Sequence, residues 1–152
     1  MRSRNSILAK FAHAGKLAGE PAGTLDIGRL LSGAGDYLRD SRNSLLCAQS
    51  RVDLAYCSAH ALALAAMRAA GYRPVLFTGD RIVIFQALES TAGAPKELRI
   101  ALDRYHDRRN AAEYEAAPPA SEAEAKDLVA LTAKLKKLVL DRLKRNHPKL
   151  LK

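Results

Sequence analysis

A bundle of four to five antiparallel α-helices is the fold class this sequence predicts, and three observations predict it. Ala and Leu dominate an apolar fraction of 48%, while aromatic residues supply 5% and Trp none, a composition of helix formers and not of β-branched strands. Apolar positions recur at helical spacing over long stretches. Breakers then divide the chain at residues 19–23, 71–74, 93–95 and 118–119, leaving short connections of the kind that join antiparallel neighbours. A chain of 152 residues can bury about 70% of its unfolded surface in one core, so one domain suffices.

Residues 1–23 are basic, with Glu20 the first acid, and carry apolar spacing at Ile7, Leu8 and Phe11. They read as a basic arm or short helix, mobile or docked on a partner, ending at the breakers of 19–23. Thr24 is a candidate N-cap for a helix running through Leu25, Ile27, Leu30, Leu31, Tyr37 and Leu38 to Leu45 and Leu46, with a kink at Gly33 and Gly35. Residues 51–70 are apolar nearly all round and predict a buried central helix stopped by Gly71. Tyr72, Arg73 and Pro74 open a loop through residues 76–79. Asp80 can cap a short helix containing Ile82, Ile84, Phe85 and Leu88, although Arg81–Phe85 alone is also β-like. Pro95 sits in the first turn of the next helix, which continues through Leu98, Leu102 and Tyr105 until Pro118 and Pro119. Ser121 and Glu124 form a capping box that launches a last helix with Leu128, Leu131, Leu135, Leu138 and Leu143 on one side and Lys134, Lys136, Lys137, Arg142, Lys144 and Arg145 among its basic positions. That helix ends by Pro148, so the bundle spans 24–147 and a tail spans 148–152.

The formal charge is +9. Excess basic charge favours polyanionic partners, nucleic acid ahead of a membrane surface. No apolar run is long enough to span a bilayer, Lys10 and His13 interrupt any apolar core of a secretory leader, and the expected setting is cytoplasmic. Cys47 and Cys57 have no metal-ligand spacing and read as free thiols. His60 lies in an apolar helix with no second ligand spaced for it, and nothing resembles a phosphate-binding Gly loop. No metal and no cofactor are therefore expected.

The stretch with chemical content is 102–115, LDRYHDRRNAAEYE. Arg104, Arg108 and Arg109 form a basic cluster at helical spacing, His106 lies one turn before Arg109, and Asn110 and Tyr114 follow. A guanidinium can hold a phosphate with two parallel donors. Glu113 stands four residues after Arg109, at ion-pair spacing.

Three segments in order, AYCSAHALALAAMRAAGYRP, GDRIVIFQAL and DRRNAAEYE, resemble the HEPN superfamily of helical domains. The likeness covers roughly residues 36–143. It implies a helical bundle acting as a homodimer whose paired motifs face each other across a basic cleft. Active members cleave RNA without metal: an Arg steadies the phosphate and a His, suited by its pKa, moves the proton. Here Arg109 matches the Arg, Asn110 matches the polar residue beside it, and Tyr114 stands where the His is expected. A phenol is a poor base at neutral pH, so the departure points to members that bind RNA, a nucleotide or a protein without cleaving. The expectation is thus an RNA- or nucleotide-binding domain of a toxin–antitoxin or defence system, using Arg104, Arg108, Arg109, Asn110 and Tyr114, with a nucleotidyltransferase-type antitoxin as a candidate partner. Two alternatives stand beside it. One is a ribonuclease using Arg109 with His106 or Tyr114; the other is a partner-binding bundle without a nucleic-acid role.

Overall fold

The computed structural model describes residues 2–75 and 81–151, with the side chains of 2–6, 81, 82, 112 and 113 outside the description. The elements are α1 (Arg2–His13), β1 (Leu17–Gly19), α2 (Thr24–Ser41), α3 (Ala48–Ala69), β2 (Tyr72–Pro74), α4 (Arg81–Gln86), α5 (Leu88–Ala92), α6 (Lys96–Tyr114), α7 (Glu122–Asn146) and a closing 3-10 turn (Pro148–Leu151). The protein is an all-α bundle.

Helix α3 is its axis, packed chiefly against α2 and α7. Its alanines 55, 59, 63, 65 and 66 are buried together with Val52, Tyr56, Leu62 and Met67, so small side chains admit neighbours on several sides. Two hydrogen bonds fix the sense of α2 against α3: Ser58 Oγ donates to the Ala34 carbonyl at 2.7 Å, and Arg51 Nε to the Ser41 carbonyl at 2.9 Å. Those pairs run in opposite directions, so the helices are antiparallel. The α3–α7 pairs run the same way instead, Arg51 to Glu122 at 3.0 Å and Thr132 Oγ1 to the Ala55 carbonyl at 3.3 Å. Helices α3 and α7 are therefore parallel, and α4, α5 and α6 carry the chain back between them.

Several local expectations change. Of the two readings of the N-terminal segment, arm or short helix, α1 is a helix, and it lies on the bundle: Leu8 and Leu17 are 3% exposed, and Ile7, Phe11 and Ala12 pack on the same core. β1 pairs antiparallel with β2, in the register Leu17↔Pro74, Ala18↔Arg73 and Gly19↔Tyr72, so residues expected to be loop form a small ribbon that ties the N-terminal segment to the end of α3. Three residues are too few to show alternation in a sequence. Helix α2 runs unbroken through Gly33 and Gly35. Burial of Ile27, Ala34 and Leu38 outweighs the roughly 1 kcal/mol that each glycine costs a helix. It stops at Ser41 and not at Leu46, because Ser41 Oγ turns back to the Leu38 carbonyl, and Asn43 Oδ1 accepts the Leu45 N–H at 3.0 Å. Leu45 is left 91% exposed. The N-cap of α2 is Gly23, one residue before Thr24.

Other expectations hold. Gly71, at φ +94°, ends the turn after α3, a backbone region that costs a side chain strain. The ambiguous run after residue 80 is helical, with Val83, Ile84 and Phe85 buried; Asp80 and residues 76–79 lie outside the described residues. Ser121 Oγ accepts the Glu124 N–H and Glu124 Oε1 accepts the Ser121 N–H, each at 3.1 Å, completing the capping box of α7. Among the described residues no helix is long and apolar enough to cross a membrane.

Candidate nucleic-acid site on helix α6

Helix α6 buries Leu98 and Leu102 and leaves its second half half-exposed, so polar contacts set how that half sits. At 100° per residue, His106 and Arg109 stand roughly 60° apart around the helix and His106 and Asn110 roughly 40°, whereas Tyr114 is turned about 140° from Arg109. The first three share a face. Tyr114 lies only about 40° from Asn110, so its 78% exposure in the last turn of the helix, and not its angle, keeps it from the other three.

That face meets Tyr56 of α3. Tyr56 is 2% exposed, and its hydroxyl lies 2.6 Å from His106 Nδ1. The Arg109 guanidinium carbon lies 4.9 Å from the centre of the Tyr56 ring, a cation–π contact. Asn110 Nδ2 stands 3.3 Å from His106 Nε2, so both imidazole nitrogens have partners. A neutral imidazole has one donor and one acceptor nitrogen. If the Asn110 amide donates to Nε2, Nδ1 carries the proton and donates to the Tyr56 oxygen; the opposite tautomer requires the Asn110 amide turned over. Phe85 packs edge-on to Tyr56 at 5.8 Å and to His106 at 6.5 Å, and His60 stacks beside Tyr56 at 6.4 Å. His60 thus lines the bundle. Asp103, one turn before His106, accepts from Arg99 at 3.1 Å; burial raises its carboxyl above the ordinary value, partly opposed by Arg99.

The adjacent face of α6 is built differently. Arg108 makes a two-pronged contact with Glu124, the capping-box acid of α7, with its Nη2 at 3.0 Å from Oε1. That hydrogen bond holds the Glu124 carboxyl below the ordinary carboxylate value. Tyr105 donates to Asp127 at 2.7 Å, and burial followed by that hydrogen bond pushes its phenol well above the usual range. Gln49 Oε1 accepts the Ala120 N–H at 2.8 Å and anchors the α6–α7 connection to the start of α3.

The sequence-derived site residues therefore divide. His106, Arg109 and Asn110 come together; Arg108 is committed to Glu124; Arg104 faces solvent on the outer side of the helix. Tyr114 is 78% exposed at the end of α6 and takes no part in the cluster. The side chain of Glu113, expected near Arg109, lies outside the described residues. The residue that sequence reasoning missed is Tyr56. Its signal was present as the one large side chain within an Ala-rich turn, but only the pairing of α3 with α6 gives it His106 and Arg109 as neighbours.

No protein-family model, curated protein or solved structure matches the chain. The likeness to HEPN domains rests on its own motifs. Among the described residues no group of three or more His, Cys, Asp or Glu is placed to hold a metal ion.

Proposed function

We propose that this protein is a HEPN-like domain that binds RNA or a nucleotide through the face of α6 bearing Arg109, Asn110 and His106, in a toxin–antitoxin or defence setting, as a homodimer or with a nucleotidyltransferase-type partner. The observation that supports it is the gathering of those three side chains around buried Tyr56. The Arg109 guanidinium carbon sits 4.9 Å from the Tyr56 ring centre, and a planar guanidinium is suited to holding a phosphate with two parallel donors. Arg104 extends the positive field from the exposed side, and exposed Tyr114 offers a ring on which a base can stack. Titrating a short single-stranded RNA against the protein at rising salt tests the reading. Affinity should fall with salt, and Arg109→Ala should weaken binding and flatten the log–log slope by about 0.7. A salt-independent response removes the proposal.

A second reading is favoured by one observation, the seating of His106 by the Tyr56 hydroxyl one turn from Arg109. In a metal-independent ribonuclease the RNA 2′-oxygen attacks the adjacent phosphorus and gives up its proton to a base. The 5′-oxygen leaves with a proton, yielding a 2′,3′-cyclic phosphate and a 5′-hydroxyl. In this reading the Asn110 amide gives way to the 2′-hydroxyl, His106 takes its proton at Nε2 and returns it to the leaving 5′-oxygen, and Arg109 holds the phosphate. RNA incubated with the protein and chelator should give cyclic-phosphate ends that disappear in both His106→Ala and Arg109→Ala. Cleavage that survives either substitution sinks it.

A further inference from the structure

A second positive surface lies where α2 meets α7. Arg42, Lys136, Lys137 and Lys144 line a groove of about 370 Å³ whose floor includes Leu38 and Leu140, with Asp141 as the one acid on its wall. It shares no residue with the α6 cluster. Two facts bear on what that surface can hold. The first is pairing: described ion pairs tie Arg39, Arg51, Arg68, Arg73, Arg99 and Arg108 to acids, while among the described residues no ion pair uses Arg42 or any lysine. Asp36 and Asp40, the acids of α2 nearest to Arg42 in sequence, are both taken by Arg39. The second is arrangement: the four cations border one shallow, open depression between the two helices.

We propose that the α2–α7 groove is a track for a nucleic-acid backbone, contacting phosphodiesters without reading bases. Lys136 to Lys144 spans about 12 Å of helix axis. That length, with Arg42 across the groove, accommodates roughly three successive phosphates, since a backbone advances about 3.4 Å of axis per charge in a duplex and more in an extended strand. The lining holds no aromatic side chain on which a base can stack, so the contact is to backbone and independent of sequence. The groove presents no exposed bulky apolar residue to insert into a membrane surface.

The test is fluorescence anisotropy with a labelled 20-nucleotide single strand of uridine and its deoxythymidine counterpart, read as log affinity against log salt. The triple variant Lys136→Gln, Lys137→Gln, Lys144→Gln should bind both strands more weakly and lower the slope by about two, from roughly 0.7 per lost contact. Asp141→Asn should act in the opposite sense and tighten both, a gain that a folding defect cannot imitate. The same slope change should appear when the triple variant is built on Arg109→Ala, which separates this groove from the α6 site. An unchanged slope in the triple variant overturns the groove while leaving the α6 reading intact, and so does an effect confined to phosphatidylserine vesicles. Failure of the parent protein to bind either strand overturns both.

Discussion

The two faces of α6 carry neighbouring residues with opposite roles. Tyr105 and Arg108 point at acids of α7, Asp127 and Glu124, and serve to seat the helix against the bundle. His106 and Arg109, each one position further along, sit about 100° around the helix and meet an aromatic ring instead. By charge alone, the sequence gives Arg108 and Arg109 no different partners. Their partners make one a fastener of α6 to α7 and the other a member of a polar cluster with His106 and Asn110. Tertiary neighbours thus divide one basic motif between two environments.

The widest separation of the two faces should come from Tyr56→Ala. Losing a buried aromatic should cost about 3–5 kcal/mol in urea unfolding and release His106 and Arg109 together. A cost below about 1 kcal/mol would mean that the cluster is not seated as described. Tyr56→Phe keeps the ring and removes only the hydroxyl, so a smaller loss of roughly 1–2 kcal/mol is expected, together with a changed imidazole shift of His106 by NMR.

On the other face, Glu124→Ala removes an N-terminal capping partner and the acid of Arg108, and about 1 kcal/mol is expected. Its pH dependence has a defined sign. The folded-state carboxyl lies below its unfolded value, so its contribution is present above about pH 4.3 and fades as pH falls through the lower folded value. Unfolding curves of the parent and Glu124→Gln should therefore converge in acid; a constant gap would remove the Arg108 interaction as its cause. Tyr105 supplies an alkaline counterpart, since its raised phenol should stay protonated beyond about pH 10 and one tyrosine absorbance step should leave the high-pH end of the titration in Tyr105→Phe. The smallest effect belongs to Tyr114→Ala, within about 0.5 kcal/mol in stability, because the side chain is 78% exposed. A larger destabilisation would place Tyr114 in the packing after all.

Much of the bundle was legible because its signals are local. The capping box at Ser121 and Glu124 and the stop at Gly71 are read from a few adjacent letters, and the apolar face of α7 from its periodicity. The unbroken α2 and the β1–β2 ribbon were not legible, since each depends on contacts made by residues distant in sequence. The same division runs through the site. Arg109 and Asn110 were singled out by the motif and His106 by its one-turn spacing, and the three meet around Tyr56, while the exposure of Tyr114 at the end of α6 depends on where the neighbouring helices stop.

The sequence by itself determined that the chain is helical, where α3, α6 and α7 lie, and that basic side chains crowd α6 and α7, because helix propensity, capping and periodicity act within a few residues. The tertiary structure decided that α7 runs parallel to α3, that Tyr56 joins His106 and Arg109, and that Arg108 is bound to Glu124 while the lysines of α7 line an open groove. Those outcomes follow from burial and pairing between segments some 16 to 77 residues apart. No local propensity encodes them.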